Sequence, residues 1–258
     1  MKFLLTNAKS NNFGIELSET DIGSTHSSLK LLSDKPLLDW KSQGNRFIAF
    51  GNVIGVRNSA GAVDSSTSSE SLRSALENPS KVRDVEGRFI ILQFSVDGRI
   101  DIWTDQFGRV DVYYQQVGDE IFVASGLDLL PVSKGIQSEI DNVGMMQAAY
   151  IYGGRPAKKH TWYKHVARVG VSEVLTWSVN GKLTLADIAK PDAKSPLYIE
   201  PDSLNDYSVT FIESIRARAS VNGNVVFLSS GWDSTSILAT LVHLFGKSKT
   251  RAVIGRMK

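Results

Sequence analysis

The sequence predicts an α+β fold: an antiparallel β-sandwich with flanking helices over residues 1–188, a linker over 189–201, and the start of a parallel α/β domain over 202–258. Three observations predict it. From Phe3 to about Leu185, short apolar runs alternate with turn dipeptides, the rhythm of hairpin-connected antiparallel strands. Pro191, Pro196 and Pro201 then interrupt any continuous helix or central strand. Beyond them the periodicity reads helix, strand, helix, strand, as in a parallel sheet with crossover helices.

Three hairpins carry the first region. Phe89 to Phe94 and Ile100 to Trp103 flank Asp97-Gly98, Val112 to Tyr114 and Ile121 to Ala124 flank Gly118-Asp119, and Val174 to Trp177 and Leu183 to Leu185 flank Asn180-Gly181. Such dipeptides accept the left-handed backbone that tight hairpins require. Asp64 to Ser71 is too polar to pack and reads as an exposed loop, with a short helix from about Ser71 to Leu76.

In the second region Ser203-Leu204-Asn205-Asp206 offers a helix cap, after which Tyr207, Phe211, Ile212 and Ile215 recur at helical spacing. Asn222-Gly223-Asn224 is a turn. Val225-Val226-Phe227-Leu228 is a continuous apolar run of the kind found in a strand buried on both faces. Ser234 to Phe245 forms a second helix, with Ile237, Leu238, Leu241, Val242 and Phe245 inward and Gly246 as terminator. Ala252-Val253-Ile254, within Thr250 to Gly255, supplies another strand.

Composition narrows the function classes. Of the 258 residues 42% are hydrophobic, which excludes global disorder. A formal net charge of +2 leaves no electrostatic footprint for nucleic acid or an anionic membrane. There is no cysteine, so disulfides, thiolate metal sites and cysteine nucleophiles are excluded. The N-terminal run Phe3-Leu4-Leu5 is too short for a signal peptide or a spanning helix, and a cytoplasmic location is expected. His26, His160, His165 and His243 are too scattered to suggest the three converging ligands of catalytic zinc.

The chemistry is concentrated in Ser229-Ser230-Gly231-Trp232-Asp233-Ser234, between an apolar strand and the first turn of a helix. Free backbone amides and the positive end of the helix dipole favour an anion there. Ser229 and Ser234 can donate hydroxyls to phosphate oxygens, and Asp233 suits a magnesium ion accompanying a nucleotide. The plainer alternative is an ordinary cap, in which Asp233 or Ser234 merely starts the helix and Gly231 merely turns the chain. No Gly-x-x-x-x-Gly-Lys-Ser/Thr phosphate loop is present.

This segment resembles the Ser-Gly-Gly-x-Asp-Ser pyrophosphate loop of the ATP pyrophosphatase group. Upstream, Asp84-Val85-Glu86-Gly87-Arg88-Phe89, Thr104-Asp105-Gln106-Phe107-Gly108 and Phe122-Val123-Ala124-Ser125-Gly126-Leu127 resemble, in order and spacing, segments of the glutaminase domain of glutamine-dependent asparagine synthetase. Tyr150 to Trp177 resembles the bridge between the two domains of that family. The resemblance implies an Ntn-hydrolase-like glutaminase-type sandwich followed by the N-terminal part of an adenine nucleotide alpha hydrolase-like synthetase domain. It also implies ATP and magnesium, with Ser229, Ser230, Gly231, Asp233 and Ser234 at the pyrophosphate and Asp233 toward the metal. Phe227 and Ile254, at the strand ends, are candidates to pack against adenine, with plain core residues as the alternative.

Two departures from the family shape the functional expectation. Its glutaminase nucleophile is an N-terminal cysteine, whereas this chain has Lys2 after Met1 and no cysteine. Ser230 replaces the first loop glycine, a change that would cost on the order of 1 kcal/mol if that position required positive φ. The Arg-x-Arg-Gly-Pro-Asp segment is missing, and only Gly51-Asn52-Val53-Ile54-Gly55 lies near the place of Asn-Gly-Glu-x-Tyr-Asn. The expected function is the N-terminal part of an ATP-dependent amide-forming ligase with a degenerate glutaminase domain. ATP and a carboxylate substrate would be its partners, an amine or free ammonia its acceptor, and a homodimer or a pathway protein remains compatible. β-Lactam synthetase and lasso-peptide cyclase are relatives of that kind. The sequence stops soon after Ser234, as expected of a fragment. The alternative from another class is a non-catalytic Ntn-like binding or assembly module.

Overall fold

The structure is a computed structural model that describes residues 1–8, 17–23, 28–58, 62–64, 69–151, 153–154, 157–188 and 201–255. The chain divides into two compact units, one of Met1–Val53, Arg73–Arg83 and Gly87–Pro191, the other of Ile54–Leu72, Asp84–Glu86 and Asp192–Lys258.

The strands run in chain order as β1 (Phe3–Thr6), β2 (Ser18–Thr20), β3 (Lys30–Ser33), β4 (Leu38–Ser42), β5 (Asn45–Arg57), β6 (Val63–Asp64), β7 (Val85–Phe94), β8 (Ile100–Thr104), β9 (Tyr113–Val117), β10 (Glu120–Ala124), β11 (Val166–Arg168), β12 (Glu173–Trp177) and β13 (Leu183–Asp187). One sheet has the order β11-β9-β10-β1-β3-β2 and the other β13-β12-β8-β7-β5-β4, with β6 paired to β5. The recorded pairings within both sheets are antiparallel.

The three dipeptide turns join β7 to β8, β9 to β10 and β12 to β13, and Gly98, Gly118 and Gly181 have φ of 86°, 60° and 79°. One apolar cluster draws Phe3, Leu5, Leu31, Ile121 and Val123 from the first sheet and Ile48, Phe50, Ile90, Leu92 and Ile102 from the second. Phe3 stacks on Phe50 at 5.7 Å between ring centres, so the inner faces of the two sheets meet. Alternation along each strand sends the remaining residues outward. On the outer face of the first sheet, Leu4, Phe122 and Ala124 pack under Leu129, Leu130 and Val132. Leu129 and Val132 belong to two 3₁₀ turns, Leu127–Leu129 and Pro131–Lys134, and Leu130 joins the turns.

Gly51 and Gly87 permit close passage of neighbouring strands. A Cβ on Gly51 would lie 2.2 Å from the Arg88 carbonyl oxygen, and one on Gly87 would lie 2.5 Å from that of Asn52. Gly51 also has φ of 111°. No residue with a side chain fits either place without moving a backbone.

Several sequence expectations shift. The loop expected over Asp64 to Ser71 is narrower, because Asp64 closes β6 and α1 (Ser69–Leu76) begins at its far end; residues 65–68 lie outside the described residues. Tyr150 to Trp177, expected as an interdomain bridge, instead contributes β11 and β12 to the two sheets. The segment opens on the last residue of α2 (Asn142–Tyr150), whose first turn is capped by Asp141 accepting from the Gly144 amide at 2.9 Å. The expected linker lies outside the described residues through 200, and Pro201 opens a helix.

The second unit contains α3 (Pro201–Arg216), β14 (Asn224–Leu228), α4 (Trp232–Phe245) and β15 (Thr250–Ile254). β14 and β15 pair in parallel, from Asn224↔Thr250 to Leu228↔Ile254. α3 starts at Pro201 rather than after Ser203 because proline at the first helical position gives up no intrahelical hydrogen bond. The expectation of a strand buried on both faces does not hold for β14. Val226 is buried while Val225 and Phe227 are 59% and 78% exposed, since alternation turns them to the face opposite Val226, which no described element of this unit covers. In α4 Leu241 is buried but Ile237 is exposed, so the inward face is narrower than its periodicity suggests. Gly246 ends α4 as expected, with φ of 81° and its amide donating to the Val242 carbonyl at 2.9 Å.

Candidate functional site

The loop from Ser229 to Ser234 connects the end of β14 to the start of α4. α4 begins two residues earlier than its apolar periodicity implied, at Trp232, and its N-cap is Gly231 with φ of −86°. Neither Asp233 nor Ser234 is therefore the N-cap residue. No side chain caps the helix, which leaves its first-turn amides without side-chain acceptors.

The serines organise this opening. The Ser229 amide donates to Ser234 Oγ at 3.1 Å, and the two hydroxyl oxygens lie 3.0 Å apart. The Gly231 amide donates to Ser229 Oγ at 3.2 Å, and Thr235 Oγ1 donates to the Gly231 carbonyl at 3.1 Å. A Cβ on Gly231 would stand 3.3 Å from Ser229 Oγ, tighter than ordinary contact. Among the described residues the non-glycine positions with positive φ are Gln43, Gln137 and Ser172, so Ser230 carries no left-handed strain. The conditional cost of serine at that position does not arise.

Asp233 lies in the first turn of α4, exposed, and its carboxylate has no hydrogen-bond or ion-pair partner among the described residues. It also borders a shallow cleft of about 270 Å³ with Tyr207, Phe211 and Thr240, on facing sides of α3 and α4. Tyr207 and Phe211 are stacked with ring centres 6.1 Å apart. Trp232, beside Asp233, is 88% exposed. The structure thus brings Ser229, Ser230, Gly231, Asp233 and Ser234 together at one helix start. It does not bring Phe227 and Ile254 together. Phe227 is opposite Val253 and Leu228 opposite Ile254, so alternation sends Phe227 and Ile254 to opposite faces of the strand pair.

The first unit holds a larger feature that the sequence did not reveal, a cavity of about 730 Å³. Its wall includes Met1, Asn52, Arg88, Asp111, Ser125 and Asp128. Burial pushes the Asp111 carboxyl up, but Lys158 at 2.6 Å and Arg168 at 3.4 Å together hold it below its ordinary value, helped by the Tyr113 hydroxyl at 3.1 Å. Asp128 pairs with Lys2 Nζ at 2.7 Å, and this hydrogen bond raises the Lys2 pKa. The N-terminal amine pairs with Asp34 at 3.2 Å. The nearby Asp105 is pushed up by burial, against the Phe107 and Arg109 amides that donate to it. Gly51-Asn52 and Ser125 lay in segments noted from the sequence, but nothing in their spacing shows that they share a wall with Arg88.

Among the described residues no group of three His, Asp or Glu side chains could hold a metal ion. None of the described helices is long and apolar enough to cross a membrane.

No protein family model matches the chain, and no curated protein matches it. In structure it is similar to glutamine phosphoribosylpyrophosphate amidotransferase from B. subtilis, complexed with ADP and GMP, at 12% identity and a TM-score of 0.36, covering 88% of this chain and 51% of that one. It is also similar to a structure described as the allosteric regulatory enzyme of purine biosynthesis, at 13% identity and a TM-score of 0.35, covering 86% of this chain and 47% of that one. The chain spans about half the length of these solved chains.

Proposed function

We propose that the chain is the N-terminal part of an asparagine synthetase-like, ATP-dependent amide-forming ligase with a glutaminase-type domain that has lost its chemistry. The carrying observation is the start of α4: a glycine N-cap, no side-chain cap, two serine hydroxyls held at the opening and an Asp233 carboxylate with no partner among the described residues. These residues fit a pyrophosphate group with magnesium. The first-turn amides supply donors, Gly231 leaves room for a phosphate oxygen, Ser229 and Ser234 can add hydroxyls, and Asp233 offers a hard oxygen ligand. In the reaction proposed, a substrate carboxylate oxygen bonds to the α-phosphorus of ATP and pyrophosphate leaves. An amine or ammonia then displaces AMP to form the amide. Bound magnesium would neutralise pyrophosphate charge, while the residues of this chain orient the leaving group and keep donors aimed at it.

The Ntn-like assignment of the first unit, the synthetase assignment of residues 202–258 and a cytoplasmic setting belong to the same reading. The absence of any cysteine supports a domain without glutaminase chemistry. Calorimetric titration of the full-length protein with ATP and magnesium tests the proposal. Binding is expected, and Asp233→Asn should weaken it about tenfold by removing a metal-facing charge. An ordinary helix start predicts no nucleotide binding to either form. A folded full-length protein that binds no ATP would leave the non-catalytic module as the better reading.

A further inference from the structure

We propose that the cavity of the first unit is a binding site for a small organic acid, whose carboxylate is held by Arg88. The cavity, about 730 Å³, lies in the size range of small-molecule sites. Its wall carries both signs of charge, but they are not equally satisfied. Asp111 is matched by Lys158 and Arg168, Asp128 by Lys2, and the N-terminal amine by Asp34. Arg88, the one exposed residue of β7, has no hydrogen-bond or ion-pair partner among the described residues. An arginine on a concave wall with no anionic partner among the described residues is the group a carboxylate would complete, through two parallel hydrogen bonds.

Two further donors stand on the same wall. Asn52, on β5, has a side-chain amide with no partner among the described residues, and the close passage at Gly51 sets its strand against Arg88. Ser125 Oγ accepts from the Phe3 amide at 3.0 Å, which leaves its own hydrogen free to donate. Val110, Leu127 and the Met1 side chain give the wall an apolar part for a short carbon body. Recognition is led by negative charge rather than by an ammonium group, because both wall carboxylates already have cationic partners. This site lies wholly within the first unit and does not depend on the nucleotide reading of the second.

The test is calorimetric titration of the whole chain at low ionic strength with succinate, with its neutral isostere succinamide, and with glutamine. Succinate should bind, and succinamide should bind at least about tenfold more weakly, because the charged hydrogen bond is lost. Arg88→Gln should weaken succinate by a similar factor, and Arg88→Lys should retain part of the affinity. Circular dichroism establishes that each variant is folded, and the succinate and succinamide comparison requires no variant. Equal binding of the two isosteres, no binding of succinate, succinate affinity unchanged in folded Arg88→Gln, or glutamine binding tighter than succinate would each overturn the proposal.

Discussion

Ser229 and Ser234 hold the end of β14 against the first turn of α4, with their hydroxyl oxygens 3.0 Å apart and the Ser229 amide donating to Ser234 Oγ at 3.1 Å. The strand end is thereby tied to the uncapped start of the helix. Ser234→Ala should remove this tie and weaken ATP–magnesium binding by the full-length protein about tenfold, the value of a well-placed hydrogen bond. Ser230→Gly should change affinity less than about twofold, since Ser230 has no positive φ to relieve. Calorimetry on both variants checks the pair.

Glutamine incubated with the protein should release no glutamate above background. Amide hydrolysis by an N-terminal nucleophile needs a thiolate or an equivalently activated group, and the chain has no cysteine. The N-terminal amine is instead engaged with Asp34, and Lys2 with Asp128. Turnover that survives purification and disappears on changing Lys2 or Phe3 would contradict this.

Gly51→Ala should destabilise the first unit by about 3 kcal/mol, combining left-handed strain with backbone overlap. Its Cβ would sit 2.2 Å from the Arg88 carbonyl oxygen, and backbone cannot move aside as a flexible side chain can. Gly118→Ala, also at positive φ but in open space, should cost about 1 kcal/mol. Chemical denaturation of the two variants separates strain from overlap.

Asp111→Asn should lower stability by about 1–2 kcal/mol at pH 7, because Lys158 and Arg168 lose their anionic partner. The Asp111 carboxyl is held below its ordinary value, near 3.8, so its stabilising contribution is present above that pH and is lost as pH falls through the lower folded-state value. The gap between the original protein and Asp111→Asn should therefore close below about pH 3.8. Asp105, raised by burial, carries the opposite sign, so the difference between the two proteins is the quantity to measure.

The sequence by itself determined the features that depend on neighbours along the chain. Asp97-Gly98, Gly118-Asp119 and Asn180-Gly181 mark turns because few residues accept a left-handed backbone, and the flanking runs then pair as hairpins. The Ser229 to Ser234 loop was legible for the same reason, as a short motif between an apolar strand and a helix. Tertiary structure decided what depends on distant neighbours. Whether Val225 and Phe227 are buried turns on an element covering their face, and an apolar run reads the same with or without one. Phe227 and Ile254 were separated by strand register, which pairs Phe227 with Val253 and is set by the crossover rather than by either strand. The cavity was invisible in the sequence because Met1, Asn52, Arg88 and Ser125 come from four strands or strand ends that meet only when the sheets assemble. Arg88 is left without a partner among the described residues only after Lys158, Arg168 and Lys2 have been drawn to Asp111 and Asp128, and that pairing is made in space, across separations of up to 126 residues.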